Sequence, residues 1–144
     1  MNIRITNAYG PQNYDDQEKK QKFWQYLENE VLISQQNDSA CMIMIDSNCW
    51  LGKNILSFDP NPQNDNGKYF AHFLEKYDNI TLLNSHPSCE GQITRSHTLK
   101  DKTEKSILDF MLVCNKLLPF FQNMSIDEAK QYSLTNFQAK GPRK

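Results

Sequence analysis

Apolar positions along the chain change period several times, and each change marks an element. Residues 3–8, IRITNA, alternate apolar and polar as a half-buried strand does, and Tyr9, Gly10 and Pro11 then turn the chain. Between Gln17 and about Gln36, Phe23, Leu27 and Val31 recur at every fourth position, with Trp24 and Tyr26 widening the stripe. That spacing predicts an amphipathic helix lying on a sheet. Asp15 and Asp16 stand ahead of it, suited to cap its positive end. After a polar loop at 37–39, the unbroken apolar run Cys41 to Ile45 predicts a buried central strand that passes directly into Asp46, Ser47 and Asn48.

The second half reads in the same way. Lys53 to Gly67, with Pro60 and Pro62 and several asparagines, is a surface loop. A second helix starts near Asn66 and buries Phe70, Phe73, Leu74 and Tyr77. Ile80 to Asn84 is a strand, His86 to Ser88 a turn, Gln92 to Arg95 a short strand, and His97 to Lys105 a charged connection exposed to water. Ser106 to Cys114, SILDFMLVC, is apolar on both faces apart from Asp109, which predicts a second central strand with a carboxylate that needs a partner. Lys116 to Gln122 is a short helix broken by Pro119, Asn123–Asp127 and Ser133–Phe137 are late strands, and residues 138–144 carry no pattern. Strands interleaved with helices predict a mixed α/β (α+β) fold.

Length and composition narrow the function classes. A chain of 144 residues with 38% hydrophobic content suits one domain. Its formal charge of -1 provides no global attraction to nucleic acid or to an anionic membrane, so any such partner needs a local patch. Cys41, Cys49, Cys89 and Cys114 form no CxxC pair and read as small buried apolar residues, not as zinc ligands or disulfides. No signal-peptide pattern and no apolar run of bilayer length occurs, so no membrane partner is expected and an intracellular location is. There is no internal repeat.

The candidate chemistry lies where the central strand ends. In α/β proteins the rim beyond a strand's carboxyl end is where loops present side chains to ligands. Asp46 supplies a carboxylate there and Asn48 an amide, and strand alternation sends both to the same side, where they could hold a metal-bound phosphate. The same two residues also serve as ordinary turn formers. Tyr9 either anchors its turn or presents its hydroxyl, and Asp109 either bridges to a cation such as Lys105 or belongs to a site. Arg95 is a solvated charge or a phosphate contact, and Trp50 packs beside the site or stacks on a base.

Four features occur in order: Tyr9 in NAYGPQ, Asp46 and Asn48 in IDSNCWLG, Thr94 and Arg95 in ITRS, and Asp109 in SILDFMLV. Together they resemble the endonuclease/exonuclease/phosphatase superfamily, in particular the endonuclease domains of non-LTR retrotransposons, whose N-x-Y-x-P, G-D-F-N-A and S-x-I-D-Y motifs follow this order. The resemblance implies the central part of a four-layer sandwich of two β-sheets flanked by helices. It also implies that residues 1–137 form a partial domain, incomplete at both ends, followed by an unstructured tail at 138–144. By the same resemblance Asp46 aligns or deprotonates the attacking water or protonates the leaving oxygen, and Asn48 binds the scissile phosphate. Tyr9 donates to a phosphate oxygen, Asp109 is a buried carboxylate that orients a histidine, and Arg95 and Trp50 touch substrate. A divalent metal, magnesium, offsets the phosphate's charge, and DNA is the partner.

The departures shape the expectation. Ile45, Ser47 and Cys49 replace the neighbours of the family's aspartate and asparagine. The family's asparagine and glutamate strands ahead of the tyrosine, the glutamate being the main metal ligand, have no counterpart, nor does its closing S-D-H segment. A fragment of a retroelement-derived phosphodiesterase is therefore expected, with half a catalytic set, unpaired sheet edges and little or no activity alone. A binding remnant of the fold and a phosphatase of the same superfamily are the alternatives. Oligomeric state is not legible.

Overall fold

β1 (Ile3–Tyr9), α1 (Gln17–Gln36) and β2 (Ala40–Asp46) form a β-α-β unit whose strands run parallel, from Ile3 opposite Ala40 to Tyr9 opposite Asp46. The computed structural model describes residues 1–128. α2 (Asp65–Lys76) follows β2, and β3 (Ile80–Leu82), β4 (Cys89–Glu90), β5 (Arg95–Leu99), β6 (Lys102–Ser106), β7 (Asp109–Cys114) and β8 (Met124–Ser125) complete the described chain. The main sheet has the order β1-β2-β7-β3, and β7 is antiparallel to both of its neighbours. β4 with β8, and β5 with β6, form separate two-stranded sheets. The mixed α/β class expected from the sequence is thus observed.

Alternation sorts the main sheet into two unlike faces. Cys41, Ile43 and Ile45 of β2 are buried on the helix side, while Met42, Met44 and Asp46 are half-buried on the other. On the helix side Trp24 stacks on Phe70 at 5.0 Å between ring centres, and Phe70 meets Phe110 edge-on at 5.1 Å. These rings tie α1, α2 and β7 into one core with Leu27, Val31 and Leu112. The buried stripe of α1 is Lys20, Trp24, Leu27, Glu30, Val31 and Ser34, whereas Phe23 is half-buried and Tyr26 points to solvent. Tyr26 was expected in the stripe; a helical period anchored on Trp24 and Leu27 leaves it on the outer face.

Caps begin both helices. Asp16 accepts from the Lys19 amide at 2.8 Å, and Asn64 accepts from the Gly67 amide at 2.8 Å and from the Trp50 amide at 3.1 Å. Asn64 thereby attaches the first turn of α2 to the segment leaving β2. Gly67 is required at that seam, since a Cβ there would lie 1.9 Å from the Trp50 carbonyl oxygen. The loop between β2 and α2 is pinned, not merely solvated: Asp59 is fully buried and accepts from the amides of Leu51, Gly52 and Asn61.

The later elements depart from the sequence expectations. His97 to Lys105 is no open connection, and Gln92 to Arg95 no strand: the strand starts at Arg95, and β5 and β6 form a hairpin turning at Lys100, which has φ of 53°. Charges on both of its faces hid it from a search for apolar alternation. The strand expected at Ile80–Asn84 ends at Leu82, where a 3-10 turn begins. The Asn84 side chain then replaces the lost ladder, donating to the Asp109 carbonyl and accepting from the Met111 amide, each at 3.0 Å. Lys116–Gln122 reduces to a 3-10 turn, Leu118–Phe120, with Pro119 inside it. Met124–Ser125 is the late strand expected within 123–127. The strand at Ser133–Phe137 and the tail at 138–144 lie outside the described residues. Cys41, Cys49 and Cys114 are buried as expected, whereas Cys89 is only half-buried.

β1 is fastened to α1 by a polar triad in which Thr6 and Glu30 are buried and Arg4 is exposed. Arg4 grips Glu30 through two nitrogens at 2.7 and 3.2 Å, and the Thr6 hydroxyl donates to the same carboxylate at 3.2 Å. The Arg4 hydrogen bond, reinforced by its charge and by Thr6, holds the Glu30 carboxyl below its ordinary value of 4.5. A lowered acid stabilises the fold above its unfolded pKa, and that contribution is lost as pH falls through the folded one. Glu30→Gln is therefore expected to lower the melting temperature at pH 7. The gap from wild type should narrow below pH 4.5, as thermal melts across a pH series would show.

Candidate functional site

Three strand ends meet at one rim of the main sheet. Tyr9 closes β1, Asp46 closes β2 and Asp109 opens β7, and the pairing sets Tyr9 beside Asp46 and Asp46 beside Asp109. The spacing of the two carboxylates follows from the backbone. Gly10 donates to the Asp46 carbonyl at 2.6 Å, while Ser47 donates to Leu108 at 2.8 Å. Asp46 therefore turns its peptide groups toward β1, which makes Asp46–Asp109 a non-hydrogen-bonded pair of the close kind, with Cα atoms about 4.5 Å apart. Side chains of such a pair share a face.

The individual groups are poised differently. Tyr9 is 67% exposed, and its hydroxyl oxygen accepts from the Gln12 side chain at 3.0 Å, which leaves the phenolic proton free to donate. Asp46 is half-buried, and its Oδ1 is buried with no hydrogen-bond partner among the described residues. Such an atom is costly unless something else satisfies it. Asn48 does not continue the strand: with φ of 50° it enters the left-handed region that asparagine tolerates, and its amide donates to the Gly10 carbonyl at 2.9 Å. One amide proton and the amide oxygen remain available. Tyr9, Asp46, Asn48, Arg95 and Asp109 all line one open cavity of about 470 Å³.

Asp109 differs from its expectation. It is the first residue of β7, exposed at the rim, not a charge inside a buried strand. The ladder starts there because Thr94 Oγ1 accepts from the amides of Leu108 and Asp109 at 2.9 and 3.2 Å. Although the residue as a whole is exposed, partial burial of its carboxyl pushes it above the ordinary acid value, Thr94 opposes this, and the charge of Asp46 adds to it. No ion pair joins Asp109 to Lys105 among the described residues. Nor does a histidine meet it: His86 Nδ1 pairs with the Ser88 hydroxyl at 2.7 Å, and His97 lies on the hairpin.

Trp50 is placed apart from the carboxylates. It lines an adjoining groove of about 500 Å³ with Tyr14, Asn48, Arg95, His97 and Lys102. Arg95 and Asn48 border both spaces, so the groove leads away from the carboxylate cavity along the hairpin. Sequence reasoning named Thr94 only as part of ITRS, without its role, and missed other residues that hold the rim together, among them Asn84 and Lys20. Lys20 is 2% exposed and donates to the Asn13 carbonyl at 2.6 Å, under the turn that follows Tyr9. A lysine four residues before Trp24, on the apolar stripe, was the available signal.

Among the described residues no group of three or more His, Cys, Asp or Glu side chains gathers as a metal site. Asp46, with its unpartnered Oδ1, and Asp109 are hard oxygen donors on neighbouring strands. Magnesium commonly takes one or two protein carboxylates and keeps several waters, so this pair fits a largely hydrated ion. No helix among the described residues is long and apolar enough to cross a membrane.

The raised Asp109 carboxyl makes a prediction of opposite sign to that of Glu30. A raised acid favours the fold below the unfolded value of 3.8, and that advantage disappears as pH climbs through the folded pKa. Asp109→Asn is expected to melt at a higher temperature than wild type at pH 7, with the difference closing as pH approaches 3.8. A denaturation series at several pH values reads this directly.

Comparison with known proteins adds a limited set of findings. No family model matches the sequence, and no curated protein matches it. Among solved structures, the chain is similar to the endonuclease domain of TRAS1, a telomere-specific non-LTR retrotransposon, with a TM-score of 0.49 and 17% identity. The alignment covers 77% of this chain and 44% of that one, so the chain spans less than half the length of the structure it matches.

Proposed function

We propose that the rim of the main sheet binds a phosphodiester of DNA and hydrolyses it. The supporting observation is that Tyr9, Asp46, Asn48 and Asp109, scattered over a hundred positions of sequence, line a single cavity. Each supplies what phosphoryl chemistry needs. Tyr9 has a phenolic proton to donate to a phosphate oxygen as charge builds on it, and Asn48 has an unused amide proton for a second. Asp46, which lines the same cavity, takes a proton from the attacking water or positions that water. The proximity of Asp109 disfavours two ionised carboxylates side by side, so a cation or a shared proton suits the pair. Asp46 and Asp109 would hold a hydrated magnesium ion, whose charge offsets that of the phosphate. Arg95 contacts a neighbouring backbone phosphate, and Trp50 in the adjoining groove offers a face to a base.

A second reading, binding of DNA without turnover, is favoured by one observation: among the described residues no group of three or more His, Cys, Asp or Glu side chains gathers as a metal site. Nicking of supercoiled plasmid in magnesium separates the two. If the site cleaves, Asp46→Asn lowers the rate by about 10²-fold or more, and Asn48→Ala by a similar amount. Nicking that survives Asp46→Asn removes the proposal. A wild type that retards DNA on a gel without cutting it supports binding alone. In either case Arg95→Ala should weaken DNA binding and reduce the salt dependence of log Kd by about one.

A further inference from the structure

Asn66 lies in the first turn of α2, on none of the segments that carry the candidate catalytic groups, yet it touches two of them. Its side chain is fully buried, with 0% exposure. Nδ2 donates to the Pro11 carbonyl at 2.7 Å and, more weakly, to the Asn48 carbonyl at 3.4 Å. The orientation is forced, because both neighbours are acceptors and only the amide nitrogen can serve them. One carbonyl belongs to the turn after Tyr9, the other to Asn48 itself. The same two segments already meet where Asn48 donates to Gly10 and where a Cβ on Gly10 would lie 2.5 Å from the Ser47 oxygen.

The cost of this arrangement is visible in the same side chain. Oδ1 of Asn66 is buried and has no hydrogen-bond partner among the described residues. An apolar residue would fill the space without that penalty, so the amide's contribution lies in what Nδ2 holds. Gly67, packed against the Trp50 carbonyl, brings the helix close enough for the amide to reach.

We infer that Asn66 is a positioning residue: its buried amide fixes the Tyr9 turn against the Asn48 loop, so that the phenol and the amide address the same phosphate. The inference rests on the phosphodiesterase reading for its consequence and on the hydrogen-bond geometry for its substance, and two measurements keep these apart. The first is amide hydrogen exchange by NMR on the full chain. In Asn66→Ala the Gly10 amide and the Asn48 side-chain amide should exchange about tenfold faster, while Ile43 and Leu112 in the main sheet keep their protection. Unchanged exchange at Gly10 and Asn48, or a loss spread equally over all four, overturns the inference. Should Asn66→Ala fail to fold, the unmodified chain decides: the Nδ2 protons of Asn66 should exchange about tenfold slower than those of exposed Asn54, and equal rates overturn it.

The second measurement is hydrolysis of bis(p-nitrophenyl) phosphate in magnesium. Asn66→Ala should lower kcat about tenfold or more and leave KM within about twofold, because misaligned groups slow the chemical step. Asn66→Ser, which keeps one donor, should recover part of the loss. A rise in KM at constant kcat overturns the positioning role. A wild-type chain without diesterase activity removes the function proposed above and leaves the exchange measurement to decide on Asn66.

Discussion

The antiparallel register between β2 and β7 is the constraint on which the arrangement depends. Pairing Ile43 with Leu112 and Ile45 with Phe110 buries one face of both strands under α1 and α2. The same register brings Asp46 opposite Asp109. A slip of one residue would reverse every side chain of one strand, placing apolar groups in water and a carboxylate in the core. The hydrophobic core therefore selects the register, and the register places two acids side by side at cost to each other. Core and site are not separate designs here; one periodicity produces both.

Short amides complete what regular secondary structure leaves open. Asn84 stands in for a strand that has ended, Asn64 caps a helix while binding the loop after β2, and Asn48 closes the Tyr9 turn. Asparagine suits each task because a planar group with donor and acceptor reproduces a peptide unit on a side chain one carbon long. Asp59 does related work in the loop before α2, accepting from three backbone amides within a buried turn. Irregular segments near the rim are thus held about as firmly as strands, as a site made from four distant segments requires.

The two faces of the main sheet differ in how they are covered. The helix face is sealed by aromatic and aliphatic packing. On the opposite face Ile5 remains 61% exposed on β1, and a cavity of about 630 Å³ runs past Met44, Met111 and Met124 to the carboxylates. The carboxylate pair consequently sits on the less sealed side of the sheet, where the cavity opens. The triad of Arg4, Thr6 and Glu30 keeps the outer strand in place from the covered side.

Periodicity in the chain was enough to place β1, α1, β2 and α2, because local spacing of apolar residues reports which face of an element is buried. Motif order was enough to nominate Tyr9, Asp46, Asn48 and Asp109. The hairpin of β5 and β6 was invisible to that logic, since strands exposed on both faces carry no apolar alternation. Asp109 was misread as buried because an apolar run looks the same whether a strand crosses it whole or starts in its middle; backbone bonds from Thr94 and Asn84 set the true start. Lys20 and Asn66 likewise looked like ordinary helix residues. Lys20 reaches back seven residues to the Asn13 carbonyl, but the partner of Asn66, the Pro11 carbonyl, lies 55 positions away, and proximity of that kind exists only once the elements have packed.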